Sequence, residues 1–186
     1  MKGKTIVLGV CGGIAAYKAC DLVRRIRDRQ GDVHVILTKA AQHFVTPLSL
    51  QTLSLNPVHT DLFNLTEEHQ IGHISLADKA DLVVVAPATA DVIARIAHGL
   101  CDDLLTTVIC ATKARVVLCP SMNVHMWENA ITQENIKKLE GLGFHILEPE
   151  AGDLACGTVG KGRLTEPEKI VAELEQMLVS PVRKLR

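Results

Sequence analysis

A chain of 186 residues is the length of one domain around a single core and excludes a second fold of comparable size. Its 20 Lys and Arg against 21 Asp and Glu leave a formal net charge of -1, which excludes the broad positive field of a protein that binds nucleic acid or an anionic membrane. Apolar residues make up 47% but aromatics only 3%, so disorder is excluded and the core has to be aliphatic. The six cysteines, Cys11, Cys20, Cys101, Cys110, Cys119 and Cys156, contain no C-x-x-C pair, which points away from a zinc knuckle or a disulfide scaffold. No metal site is expected. No apolar run reaches about 18 residues and no signal-peptide pattern opens the chain, so a cytoplasmic protein with reduced thiols and no membrane span is expected.

Taken in chain order, the apolar spacing predicts a strand over 5–10, a tight turn at Cys11-Gly12-Gly13 and a helix over 14–29. A strand over 33–38 then completes a βαβ unit. Residues 40–79 are less regular, with one helix near 46–54. An almost unbroken apolar run over 81–86 reads as a central parallel strand covered on both faces, and a helix over 90–98 ends at Gly99. Helices over 102–111, 129–141 and 167–178 alternate with strands over 115–119 and 144–147. Residues 148–164 show no periodicity and carry four glycines, which reads as an unstructured flap over an active site. Alternating βα segments predict an α/β fold: a doubly wound, mostly parallel, Rossmann-like sheet in a three-layer sandwich.

Such sheets bind ligands at the carboxyl ends of their strands, so the loops 11–14, 38–40, 86–91 and 119–127 are the places to look. Gly12-Gly13 is neither G-x-G-x-x-G nor a Walker loop; it reads either as a phosphate-binding turn or as a plain tight βα turn. Residues 87–91 repeat the arrangement, and two such turns on one sheet edge favour a mononucleotide site. In the loop after the 115–119 strand, Asn123 can donate to and accept from a ligand or cap a helix, while Met122, Met126 and Trp127 suit a core or a subunit interface. His73 falls in a loop or at a helix start, where it either handles a proton or is simply solvated. Cys156, in Ala155-Cys156-Gly157, sits where access and backbone N–H groups can make a thiol reactive; Cys11 lines the first turn, and Cys20, Cys110 and Cys119 read as small buried hydrophobes. Cys101 at a helix start is ambiguous, and Asp102 and Asp103 suit a helix dipole better than a catalytic pair.

Over essentially the whole chain, these residues resemble the flavin-dependent cysteine decarboxylases, most closely the decarboxylase domain of bacterial bifunctional coenzyme A biosynthesis proteins. The resemblance rests on Gly12-Gly13-Ile14-Ala15-Ala16-Tyr17-Lys18, Thr46-Pro47-Leu48-Ser49-Leu50, Gly72-His73-Ile74, the stretch from Ala80 to Ala90, Pro120-x-Met122-Asn123-x-x-Met126-Trp127 and Ala155-Cys156-Gly157. It implies decarboxylation of 4'-phospho-N-pantothenoylcysteine to 4'-phosphopantetheine with bound FMN, in a homotrimer able to assemble further into a dodecamer. The FMN positions implied are Gly12, Gly13, Ile14, Thr38, Lys39, Ala40, Ala88, Thr89, Ala90, Asp91 and Ser121, the last being Ala in most decarboxylases of the family. The implied catalytic residues are His73, Asn123 and Cys156, and the implied substrate contacts are Asn123, Ala155 and Leu164. In that chemistry the flavin first oxidises the thiol to a thioaldehyde, which accepts the electrons released with carbon dioxide, and Cys156 protonates the resulting ene-thiolate while the reduced flavin returns hydride. Residues 1–179 form the implied domain, and 180–186 resemble the linker to a phosphopantothenate–cysteine ligase domain. Peptidyl-cysteine decarboxylation, flavin prenylation and a non-catalytic flavin-binding subunit are the alternatives on the same fold.

Overall fold

The computed structural model describes residues 1–63, 72–153 and 159–179. The longest apolar runs occupy the middle of one sheet. In β1 (Thr5–Val10) only the first residue is not buried, and in β4 (Leu82–Ala88) every residue is buried. Strands so apolar need cover on both faces, which parallel pairing with helical crossovers provides. β1 pairs in parallel with β2 (Asp32–Leu37) on one side and with β4 on the other. β3 (Val58–His59) extends one edge, and β5 (Arg115–Pro120) and β6 (His145–Ile146) the other, giving the order β3-β2-β1-β4-β5-β6. The strand order reverses between β1 and β4, the switch point of a doubly wound fold.

Helices α1 (Lys18–Asp28) and α2 (Pro47–Ser54) cover one face, together with α8 (Pro167–Val179), the last helix in the chain. Leu22, Ile26, Leu50, Ile170 and Leu174 pack there against Ile6, Leu8 and Val10. The opposite face carries α3 (Gly72–Lys79), α4 (Ala90–His98), α5 (Leu104–Ala111), α6 (Val124–Glu128) and α7 (Ala130–Gly141). Leu76, Ile93, Leu105, Trp127 and Leu139 pack there with Val7 and Val83. The alternation of Ile6, Val7 and Leu8 between the two cores is the period-two pleat of a strand. Gly9 belongs to this packing: a Cβ at that position would lie 2.4 Å from Leu105 Cδ1, so the missing side chain lets α5 approach β1.

The doubly wound α/β sheet is as the sequence predicts, with differences in local form. Residues 14–29 are not one helix: Ala16 N–H donates to Gly13 O at 2.9 Å, closing a tight 3-10 turn over Ile14–Tyr17 before α1 begins. Within 40–79, β3 adds an edge strand. The 148–164 segment is not structureless. β7 (Glu150–Asp153) and β8 (Val159–Arg163) pair antiparallel in a separate ribbon, and glycine conceals it from a periodicity search by removing the side chains that would alternate. One of those glycines is a contact: a Cβ at Gly160 would lie 2.7 Å from Val124 Cγ2, so β8 rests directly on α6.

At the opposite edge, Asp81 joins the starts of β1 and β4. Its carboxylate accepts from Lys4 Nζ at 2.8 Å and from Thr5 N–H at 2.8 Å. Burial opposes ionisation of Asp81, but these two donors outweigh it and hold the carboxyl below its ordinary 3.8. Its contribution to stability is therefore present above the unfolded-state value and lost as pH falls through the lower folded one. Denaturant unfolding of the parent and Asp81→Asn should show a stability difference that shrinks from about pH 6 to about pH 3. Gly9→Ala should lower stability by about 1–3 kcal/mol through overpacking, and Leu105→Val in the same chain should recover part of that loss.

Candidate functional site

The four loops at the carboxyl edge are held together through their backbones. Cys11 N–H donates to Pro87 O at 3.3 Å, Thr38 N–H to Val10 O at 3.1 Å, and Ser121 N–H to Ala88 O at 3.0 Å. The ribbon joins them through Met122 N–H on Gly162 O at 3.0 Å and Ser121 Oγ on the same carbonyl at 3.3 Å. Gly12 is required by contact: a Cβ there would stand 2.4 Å from Ala40 Cβ and 2.8 Å from its carbonyl carbon, so only glycine lets the first and second loops touch.

Two cavities open on this edge, of about 640 and 730 Å³. They share Gly12, Thr89, Ala90 and Met126 and so form one groove across the switch point. The first also takes Gly13, Ile14, Ser121, Asn123 and Leu164; the second takes Thr38, Lys39, Ala40 and Asp91. Twelve of the sixteen residues singled out by sequence thus meet in one groove. Ala88 does not line it; it is buried at the end of β4 and offers its carbonyl to Ser121. His73 is the second residue of α3 and lines neither cavity. Ala155 and Cys156 lie outside the described residues.

The groove has the features that a flat, phosphorylated ligand needs. Thr89 caps α4 by accepting from Val92 N–H at 3.3 Å, which leaves the N–H groups of Ala90 and Asp91 outside the helical ladder at a positive dipole end. Gly13 is extended (φ -160°, ψ 162°), and a Cβ built on it would meet nothing within 4 Å, so the turn faces open space. Asn123 combines both roles considered from sequence: its Oδ1 caps α6 by accepting from His125 N–H at 2.9 Å, and the residue lines the first cavity. Trp127 is core, with Lys161 Nζ 5.8 Å from its ring centroid, whereas Met126 is half-exposed and lines both cavities.

Sequence reasoning missed Tyr17, Lys18 and Arg163, which also line the first cavity. Lys18 Nζ lies 2.9 Å and Arg163 Nη2 3.3 Å from the same oxygen, Glu166 Oε1. Lys18 closes the motif that begins at Gly12-Gly13, which offered a local signal for the lysine; no local signal reported the arginine, because its ribbon read as loop. In the second cavity Arg95 takes Asp102 through two contacts of 2.7 Å and Asp91 at 3.0 Å, which leaves the trio with one net negative charge. Among the described residues, no group of three or more His, Cys, Asp or Glu is placed to hold a metal ion. No helix of the described residues is long and apolar enough to cross a membrane.

The thiols divide by burial. Burial pushes Cys11 up to about 12 against a hydrogen bond from Thr89 N–H, and pushes Cys119 up to about 12. Both are inert at neutral pH. Cys110 corrects the sequence expectation: it is exposed, because α5 turns residues 104, 105, 108 and 109 inward and leaves position 110 outside. Cys101 is exposed too, and its thiol is raised by partial burial and by a hydrogen bond with Cys110.

The flavoprotein family model matches residues 1–179. The chain is 51% identical over 176 residues to the coenzyme A biosynthesis bifunctional protein CoaBC of Vibrio vulnificus, an alignment covering 95% of this chain and 44% of that protein. It therefore spans less than half the length of that relative. A solved PPC decarboxylase, a cysteine-to-serine mutant complexed with pantothenoylaminoethenethiol, superposes with a TM-score of 0.84 at 30% identity, covering 97% of this chain and 100% of that one. The FMN-binding protein AtHal3 gives 0.82 at 30% identity, over 98% and 100%. In native protein treated with iodoacetamide near pH 8, mass spectrometry should find Cys101 and Cys110 modified before Cys11 and Cys119, whose thiolate fractions are about one in ten thousand. Equal labelling of all four would contradict the burial.

Proposed function

The chain belongs to the flavoprotein family, and from that membership we propose that it binds FMN in the carboxyl-edge groove and decarboxylates 4'-phospho-N-pantothenoylcysteine to 4'-phosphopantetheine. The observation that carries this reading is the meeting of the Gly12-Gly13 turn, the Thr89-capped helix and Asn123 in one groove, in a chain that superposes on the full length of a PPC decarboxylase. The close likeness to a CoaBC protein favours the coenzyme A substrate over peptidyl or prenyl chemistry on the same fold.

The residues present fit FMN. Thr38 and Ala40 supply small side chains, Lys39 a cation, and Ala90 with Asp91 a helix N-terminus to the second cavity, and Gly12, Gly13, Ile14, Thr89 and Ser121 line the first. Ala88 supports this wall from behind through its bond to Ser121. Bound flavin supplies a reversible two-electron acceptor, without which carbon dioxide loss from a cysteinyl terminus has no electron sink. Asn123, already oriented by its cap to His125 N–H, holds the substrate carboxylate with a neutral amide. Leu164 and Ala155 would contact the substrate, and Cys156 would deliver a proton to the ene-thiolate, whose conversion to product also takes back the two electrons that the flavin would hold.

Because His73 lies outside the groove of its own chain, we assign it to the site of a neighbouring copy in a homotrimer, with further assembly to a dodecamer. The exposed Phe44 and Leu48 are apolar surface suited to such contacts. Residues 1–179 are the catalytic domain in this reading, and a phosphopantothenate–cysteine ligase, fused or separate, makes the cysteine adduct in the cytoplasm. Purified protein should show oxidised-flavin absorbance and release carbon dioxide from phosphopantothenoylcysteine. Cys156→Ser should still lose carbon dioxide, accumulate the unsaturated enethiol and form 4'-phosphopantetheine at least about 100-fold more slowly. Neither flavin uptake nor carbon dioxide release would sink the assignment.

A further inference from the structure

Resting on the reading above, we propose that Lys18 and Arg163, held side by side by Glu166, form the subsite for the phosphomonoester end of the substrate. Among the described residues, Lys18 and Arg163 are the charged ones lining the first cavity, and both are cations. They share a single carboxylate oxygen, at 2.9 and 3.3 Å, so three formal charges sum to one positive charge beside a wall of small, apolar and neutral polar residues. Such a wall accepts an anion. A phosphomonoester carries nearly two negative charges and three acceptor oxygens, which suits an arginine fork and a lysine point charge acting together.

The convergence is built from distant parts of the chain. Lys18 opens α1, Arg163 ends β8, and the Lys18–Glu166 bond joins positions 148 apart. The ribbon leaves room for the arginine: Gly152, at φ +156°, is where a Cβ would stand 2.8 Å from Arg163 Nη1 and 3.0 Å from its Cδ. Any side chain at Gly152 would displace the guanidinium. Glu166 is a positioning residue, keeping the two cations together before ligand arrives. Tyr17, next to Lys18, lines the same cavity and adds a phenolic donor.

Charge also decides which end of the substrate goes where. The carboxylate has to leave as neutral carbon dioxide, and a cation against it would stabilise the charged ground state and slow the reaction. Neutral Asn123 avoids this, while the cations hold the remote phosphate and supply binding energy away from the reacting carbon.

The test uses FMN-loaded parent, Lys18→Met, Arg163→Met and Arg163→Lys proteins. Calorimetry compares 4'-phosphopantetheine with pantetheine, kinetics compare phosphorylated with unphosphorylated pantothenoylcysteine, and a separate titration of apoprotein compares FMN with riboflavin. In each Met variant the preference for the phosphorylated pantetheine ligand and substrate should fall about 10- to 100-fold, with part of it restored by Arg163→Lys. The preference for FMN over riboflavin should stay as in the parent. A merely structural ion pair would lower thermal stability and leave the phosphate preference untouched, which would overturn the proposal. A loss of FMN-over-riboflavin preference in its place would overturn it too, by making the flavin the source of the phosphate. A parent that prefers 4'-phosphopantetheine but releases no carbon dioxide would uphold the subsite and refute the decarboxylase reading.

Discussion

Parallel pairing of β1 with β2 on one side and β4 on the other sends the following connections to opposite faces of the sheet, and the gap between them is where the groove forms. That gap is useful only because the loops around it are close together. Gly12 against Ala40 draws the first two loops into contact, and the Cys11–Pro87 and Ser121–Ala88 backbone bonds bring in the third and fourth. Backbone groups thereby fix the floor, and the lining residues project from a frame that few side-chain changes can disturb.

Electrostatics then divide the groove. In the second cavity Asp91 and Asp102 pair with Arg95 and keep one net negative charge, so what an anion would meet there is the set of N–H groups at the Thr89-capped helix end. In the first, a neutral amide lies on one wall and a surplus positive charge on another. The two buried thiols beneath this edge, Cys11 and Cys119, are held protonated by desolvation, so they serve packing while leaving proton chemistry to other residues.

The ribbon β7–β8 links the frame to the site. It rests on α6 through Gly160 and Val124, hydrogen-bonds the Ser121–Met122 turn through Gly162, and carries Arg163 into the first cavity. Its glycines are positions of close approach, and this is why the segment shows no pattern of its own. Periodicity is a property of side chains facing a core, whereas this ribbon meets its neighbours through backbone.

What the sequence determined by itself is whatever depends on neighbours along the chain. The apolar runs of β1 and β4, the helix start at Thr89 and the Gly12-Gly13 turn all follow from local preference and hydrophobic burial, and with them the doubly wound sheet and most of the groove. Only the tertiary structure decided that Lys18 and Arg163 meet at Glu166, that Cys110 faces outward, and that His73 lies away from the groove of its own chain. Each of these depends on how one element is rotated and docked against another far away in sequence. That docking is set by the summed packing of both cores, which no local window of residues contains.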